Sequence, residues 1–246
     1  MNQQQCDSPP ELPAPARLLK AAFAFPQADV WLTESEDGKR VWKTWYRGRG
    51  PLKRRFGRYL ARRESRILRA LAETGAVPRV HGQPRADSIE MEALEAHPLA
   101  DFFMNDQAPP REYFQKLDRL VTQMHDAGIT HGDLGLNNLL FDPTNPEQPL
   151  VLDFTQSLQF RLPIRWHLAW LFRMACRIDR ARVAKIKHRL LGESELNEEE
   201  QRLVLHPPWY LQIGRASRKW LYHPFRRRIS SNDPDEAPER PNSDRH

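Results

Sequence analysis

Asp133, Asn138 and Asp153 are the residues of this chain whose types and spacing point most directly to chemistry. Residues 131–138 read His-Gly-Asp-Leu-Gly-Leu-Asn-Asn, and the apolar run Leu150-Val151-Leu152 leads straight into Asp153-Phe154. Asn138 follows Asp133 by five residues, and Asp153 follows it by twenty. One short loop can then hold an acceptor hydroxyl at Asp133 and a metal ion at Asn138, with Asp153 closing the metal site from the next turn. Phosphoryl transfer needs such a set: an in-line acceptor, metal ions bridging the phosphates, and a cation that holds the donor. Hard oxygen ligands beside phosphates suit Mg²⁺. His131 belongs with Asp133 in the catalytic loop, where it braces the backbone by hydrogen bonding. The plainer alternative for Asp133 and Asn138 is an Asx-type turn, which these residues favour anyway. That alternative does not account for Asp153 at the end of an apolar strand.

Lys43 is the best phosphate-binding cation. In Arg40-Val41-Trp42-Lys43-Thr44-Trp45, strand alternation puts Val41, Lys43 and Trp45 on one face. Val41 can cover a nucleotide base while Lys43 reaches the phosphates. Glu64, twenty-one residues later, lies on or beside the apolar stripe of a helix and is the natural ion-pair partner. An isolated surface acid among arginines is the alternative. His125 and His131 lack a third ligand nearby and are not read as a metal site. Trp42, Trp45, Trp166 and Trp170 interleave with basic residues, but their strand and helix spacing is that of core aromatics.

The elements that must position these groups follow from periodicity. Ala28–Thr33 and Arg40–Tyr46 are strand-like and joined through Asp37-Gly38, a hairpin signal. A helix starts at Leu52 or Arg58 and runs to Glu73, with Leu60, Ile67, Leu68 and Leu71 in a stripe; Gly75 ends it. Val77–His81 and Ser88–Leu94 are two more strands, and Pro98–Asp101 leads into a short helix. A longer helix covers Arg111–Ala127, closed by Gly128. Leu139–Phe141 and Leu150–Leu152 form a small hairpin across Asp142–Pro146. Beyond Pro163 the chain is helical, with an acidic break at Glu193–Glu200. Residues 1–16 read as a disordered lead-in, and 230–246 as a disordered tail.

The chain has 246 residues and a net charge of +6, enough length for a sizeable core. Its charge is unevenly spread. Ten Lys/Arg and one acid, Glu64, fall between Arg47 and Arg69; nine Lys/Arg and one acid, Asp179, fall between Arg161 and Arg189. Such runs favour an anionic partner, or else are solvated helix faces. The only cysteines, Cys6 and Cys176, give no disulfide framework or thiolate metal site. There is no signal-peptide core, and the longest apolar stretch is too short and too charged to span a bilayer. The expected location is cytoplasmic.

With Lys43, Glu64, His131-Gly132-Asp133, Asn138 and Asp153-Phe154 in this order, the chain resembles the protein-kinase-like superfamily. Within it, residues from about 18 to 190 look most like the small bacterial lipopolysaccharide core kinases, the Kdo and heptose kinase group. The cues are Met124-His125-Asp126-Ala127-Gly128-Ile129-Thr130 before the loop, a short amino lobe, and no Ala-Pro-Glu after Asp153. The resemblance implies an α+β, two-lobed protein-kinase-like fold. A small antiparallel-sheet amino lobe (17–94, nucleotide-binding) would precede a mainly helical catalytic lobe (95–229). It also implies ATP as donor, Mg²⁺ or Mn²⁺, and an acceptor hydroxyl on a core sugar. Glu92-Ala93-Leu94 would form the hinge, placing Glu92 and Leu94 against adenine.

Three departures from the superfamily pattern bear on function. No glycine-rich G-x-G-x-x-G precedes Lys43, so another turn must cover the phosphates. Thr155 replaces the Gly of D-F-G, restricting movement of Asp153. Gly132 replaces the Arg that reads a phosphorylated activation segment. The leading expectation is a glycolipid or sugar kinase with an anionic acceptor, peripheral on the cytoplasmic face of the inner membrane, drawn there by its two basic helices. A Ser/Thr protein kinase of the same fold and a nucleotide-binding pseudokinase or scaffold are the alternatives. Nucleic acid, supported by charge alone, is the least favoured partner.

Overall fold

A computed structural model describes residues 12, 15–22, 26–35, 38–45, 50–105, 107–160 and 164–205. Nearly all of the 1–16 lead-in, the whole 230–246 tail, Glu36-Asp37 of the expected hairpin turn and the Tyr46–Arg49 segment lie outside the described residues. The described residues fall into two compact units, those up to 95 together with 151–157, and those of 96–150 together with 158–205.

The first unit is built on an antiparallel sheet. Its strands are β1 (Ala16–Lys20), β2 (Asp29–Ser35), β3 (Gly38–Thr44), β4 (Val80–Gly82) and β5 (Ser88–Glu92), in the order β1-β2-β3-β5-β4. Central β3 is rich in residues that fit a half-buried pleat. Its register sets Val41 opposite Leu32 and Met91, and Lys43 opposite Val30 and Ile89. Edge strand β1 is exposed along its whole length, so no hydrophobic alternation announces it in the sequence.

Helix α1 spans Pro51–Ala70, the longer of the two expected starts, with Pro at its first turn. Leu60, Ala61, Glu64, Ile67 and Leu68 point inward three and four residues apart, and arginines take the outward face. Ile67 is fully buried; its truncation to Ala costs about 2–5 kcal/mol by loss of packing. A 3₁₀ turn, Ala72–Thr74, follows, and Gly75 closes it at φ 63°, a conformation that strains any residue with a Cβ.

The second unit contains β6 (His97–Pro98), α2 (Leu99–Met104), α3 (Arg111–Asp126), β7 (Ile129–Thr130), β8 (Leu139–Asp142), β9 (Asn145–Val151), β10 (Leu158–Gln159), α4 (Trp166–Leu191) and α5 (Glu198–Leu205). β6, β8 and β9 form one small sheet, and β7 pairs with β10. Tyr113, Phe114, Leu117, Leu120, Val121 and Met124 of α3 are the heart of the core. The Tyr113 hydroxyl donates to the Leu140 carbonyl at 3.0 Å, so the buried phenol is satisfied and ties α3 to β8.

Three expectations need correction. The turn between β8 and β9 is shorter than Asp142–Pro146: the Asp142 carboxylate accepts from the Thr144 amide and hydroxyl, both at 2.7 Å, and Asn145 is already strand. The acidic stretch is only partly a break. Asn197 and Glu200 cap α5 reciprocally, at 2.7 and 2.9 Å, and acids in its first turn complement the helix dipole. Trp166 and Trp170 are not core: they are 87% and 61% exposed, whereas Trp42 and Trp45 are buried. Both exposed indoles sit in the first turns of α4, where one face has no packing partner among the described residues. No described helix is long and apolar enough to cross a membrane.

Candidate active site

In the first unit, Lys43, Glu64, Asp153 and Thr155 converge. β3 carries Lys43 inward, and α1 supplies Glu64 from the middle of its buried face. The Lys43 Nζ donates to Glu64 Oε1 at 2.8 Å, Asp153 Oδ1 at 2.7 Å and Thr155 Oγ1 at 2.9 Å. An ammonium has three protons, and this one uses all of them. The ammonium also lies over Trp45, with Nζ 5.4 Å from the ring centroid. Glu64 is therefore an ion-pair partner and not an isolated surface acid. Thr155 Oγ1 lies 2.6 Å from Asp153 Oδ1 and 3.2 Å from Glu64 Oε2, so its single proton bridges the two carboxylates.

These contacts set the electrostatics. Burial alone would lower the Lys43 ammonium, but Glu64 and Asp153 outweigh it and hold the pKa above its ordinary value. Burial pushes the Glu64 carboxyl up, Lys43 pulls against it, and the negative charge of Asp153 adds to the rise. Asp153 goes the other way. Burial would raise it, yet the charge and hydrogen bond of Lys43, the bonds of Thr155 and the charge of Lys20 hold it well below the usual carboxylate range. Asp153 thus stays ionised at neutral pH. Its side chain is 37% exposed, and the hydrogen bonds to Lys43 and Thr155 all run to Oδ1.

Asp153 is also the one described non-glycine residue at positive φ, 63°. Such strain costs of order 1–3 kcal/mol and persists where surroundings over-determine the residue. Here the salt bridge and two Thr155 bonds do so. Val41, Glu92 and Leu94 lie outside this cluster. Val41 is half-buried on the same strand face as Lys43, Glu92 ends β5 with Oε2 accepting from the Arg79 amide at 3.2 Å, and Leu94 follows two residues on.

In the second unit the loop is held from inside. Asp179, fully buried on α4, accepts from the backbone amides of His131 and Gly132, both at 2.8 Å, and lies 3.2 Å from His125 Nε2. Gly132 sits at φ 77°, where a Cβ is penalised. Glycine at this position therefore lets the loop turn onto Asp179. Buried His131 accepts the Asp133 amide proton on Nδ1 at 3.2 Å, which bends the backbone around Asp133 and leaves Nε2 as the protonated nitrogen. Asn138 Nδ2 donates to the Asp133 carbonyl at 2.8 Å, so its Oδ1 is left as an oxygen donor. The Asp133 carboxylate receives Arg182 Nη1 at 3.2 Å, and the same nitrogen donates to the Leu134 carbonyl at 3.2 Å.

In the first unit the ionised Asp153 carboxylate is a hard oxygen donor, and in the second Asn138 Oδ1 is another; each is of the type that Mg²⁺ or Mn²⁺ takes. Four participants were not picked out from the sequence: Asp179 as the anchor of the loop, Arg182 on Asp133, the linking role of the Thr155 hydroxyl, and Arg63, which donates to the Thr155 carbonyl. A single acid inside a run of nine basic residues was the available signal for Asp179. Arg182 had none, being one arginine among many.

The family model for the lipopolysaccharide kinase (Kdo/WaaP) family matches residues 27–191. Among curated proteins, none matches the chain significantly. Two similar solved structures are of the Rio2 kinase from Chaetomium thermophilum. One, its ADP/Mg²⁺-phosphoaspartate complex, has 20% identity and a TM-score of 0.49, covering 68% of this chain and 53% of that one. The other has 17% identity and a TM-score of 0.50, covering 82% and 72%. The chain spans about half the length of the first. The second shows that the fold, an antiparallel sheet followed by a mainly helical part, is protein-kinase-like.

Proposed function

Since the chain belongs to the lipopolysaccharide kinase (Kdo/WaaP) family, we propose that it is an ATP-dependent phosphotransferase whose acceptor is a hydroxyl on a lipopolysaccharide core sugar. The observation that carries this reading is the Lys43 ammonium bound by both Glu64 and Asp153, which keeps one fixed positive charge and one ionised carboxylate together. A structural salt bridge between Lys43 and Glu64 has no need of a second, strained and partly exposed carboxylate.

Each residue has a role. Lys43, oriented by Glu64, binds donor phosphates; Val41, Glu92 and Leu94 line the base. Asp153 and Asn138 would each offer an oxygen to a divalent cation, which when bound would neutralise phosphate charge. Asp133 orients the acceptor hydroxyl and takes its proton as the new P–O bond forms to the γ-phosphorus and the bond to the leaving ADP breaks. His131 keeps the Asp133 backbone in place. Arg182, on Asp133 Oδ1, fixes the carboxylate rotamer. Acting on a membrane-borne glycolipid, the protein would work peripherally at the cytoplasmic face of the inner membrane.

The test is transfer of labelled phosphate from ATP with Mg²⁺ to separate lipopolysaccharide-core and protein pools. Label in the core pool is the expected result. Label confined to protein would overturn the acceptor, and label in neither, with ATP still bound, would overturn the enzyme.

A further inference from the structure

Apart from Arg63, the outward face of α1 is not used by the chemistry above. Arg55, Arg58, Arg62, Arg63 and Arg66, with Tyr59, line a shallow cavity of about 580 Å³. They recur three and four residues apart, so they share the side of the helix opposite Glu64, Ile67 and Leu68. No acid is among these lining residues. Beside them, large apolar groups face solvent: Leu52 is 82% exposed, Tyr59 53% and Phe56 43%. Leu52, Phe56 and Tyr59 are again four and three apart, forming an apolar strip along the arginine face.

We propose that this face of α1 is a docking surface for an anionic lipid bilayer, with the arginines on headgroup phosphates and Leu52, Phe56 and Tyr59 at the acyl boundary. It rests on the membrane-face reading of the proposed function and names the element responsible. Two features favour a bilayer over a nucleic acid. Leu52 offers a bare aliphatic chain, which gains from an acyl boundary and has no stacking partner in RNA. The Phe56 and Tyr59 rings already stack on each other, with centroids 5.9 Å apart, and Arg63 lies 5.5 Å from the Tyr59 ring. Ring faces engaged in this way are poor platforms for bases, while their edges remain apolar. Arginine forks match phosphate oxygens, and the negative potential of such a leaflet adds to the attraction within a Debye length.

The surface is also wired to the nucleotide-binding cluster. Arg63 lines the cavity and donates to the carbonyl of Thr155, whose hydroxyl touches Lys43 and Asp153. Glu64, the next residue, pairs with Lys43 from the other side of the same helix.

The experiment is co-sedimentation of the full chain with vesicles of phosphatidylcholine alone or mixed equally with phosphatidylglycerol, with an RNA duplex as competitor. The wild type should bind the anionic vesicles, less so at high salt. Arg55→Gln/Arg58→Gln/Arg62→Gln/Arg66→Gln should weaken that binding by about tenfold or more. Leu52→Ser/Phe56→Ser should weaken it severalfold while keeping the salt dependence. Phosphate transfer to a lipid-free core oligosaccharide should be unchanged in both. Vesicle binding within twofold of wild type in the quadruple variant would overturn the proposal, as would no wild-type binding or displacement by RNA at equal phosphate. If the quadruple variant also loses transfer, the double variant decides. Transfer without vesicle binding in the wild type sinks the surface alone; vesicle binding without transfer sinks the proposed function alone.

Discussion

Asp179 holds the His131–Asn138 loop by its backbone, and its removal is the most informative single change. Its carboxylate is fully buried and takes two backbone amides at 2.8 Å, from His131 and Gly132. Asp179→Ala strands both donors, at about 1–3 kcal/mol each, or about 2–6 kcal/mol together. Removing a buried carboxylate returns part of its desolvation cost, so a net loss of about 3 kcal/mol is expected. For a chain of this size that lowers Tm by about 6–12 °C. Asp179→Asn keeps one acceptor and turns an NH₂ toward the other amide, so it should fall between wild type and Asp179→Ala. The loss must also appear at the loop. Amide hydrogen exchange at His131 and Gly132 should accelerate more than exchange in α3. Misplacement of Asp133 by an ångström lowers kcat by about 10²-fold. Thermal unfolding, site-resolved exchange and steady-state kinetics test the three parts. An Asp179→Ala protein with wild-type Tm and protected His131 and Gly132 amides would show that Asp179 does not anchor the loop.

Four shorter expectations concern the rest of the site. Lys43→Met removes the cation between Glu64 and Asp153, so the Asp153 carboxyl should titrate higher, followed by carbon NMR. In the wild type, its depressed pKa contributes stability that is full above the ordinary value of about 3.9 and fades as pH falls through the folded value. The variant should therefore unfold in acid at a higher pH, and it should not turn over ATP. Thr155→Val deletes the hydroxyl that bridges two carboxylates and should cost about 1 kcal/mol in urea unfolding, leaving the Lys43–Asp153 bridge intact. Arg182→Met should lower kcat by about tenfold, the scale of a partly screened charge-assisted bond. KM for ATP should stay within a factor of about two, because Arg182 donates to Asp133, the residue assigned to the acceptor. Chelation with EDTA should abolish transfer, and added Mg²⁺ should restore it, measured by labelled-phosphate incorporation.

Local pattern exposed much of the fold. The strands β2, β3 and β5 and the helices α1 and α3 fall within a few residues of their expected positions, because each buries one face and its periodicity shows it. β1 and the exposed first turns of α4 did not show, for opposite reasons. β1 is an edge strand with no buried face to pattern, while the indoles of Trp166 and Trp170 follow a spacing that buried aromatics also follow. At the site, Lys43 and Glu64 were legible because one occupies an inward strand position and the other a buried helix position.

The types and spacing of His131, Asp133, Asn138, Asp153 and Lys43 were enough to name phosphoryl transfer, since that chemistry constrains short-range order along the chain. Tertiary structure alone decided which groups hold them ready. Asp179 meets Gly132 across forty-seven residues, Arg182 meets Asp133 across forty-nine, and Thr155 meets Lys43 across one hundred and twelve. Nothing periodic in a sequence marks a hydrogen bond between distant segments. Such a bond depends on backbone placement to within a few tenths of an ångström, and that exists only once the elements within each unit have packed.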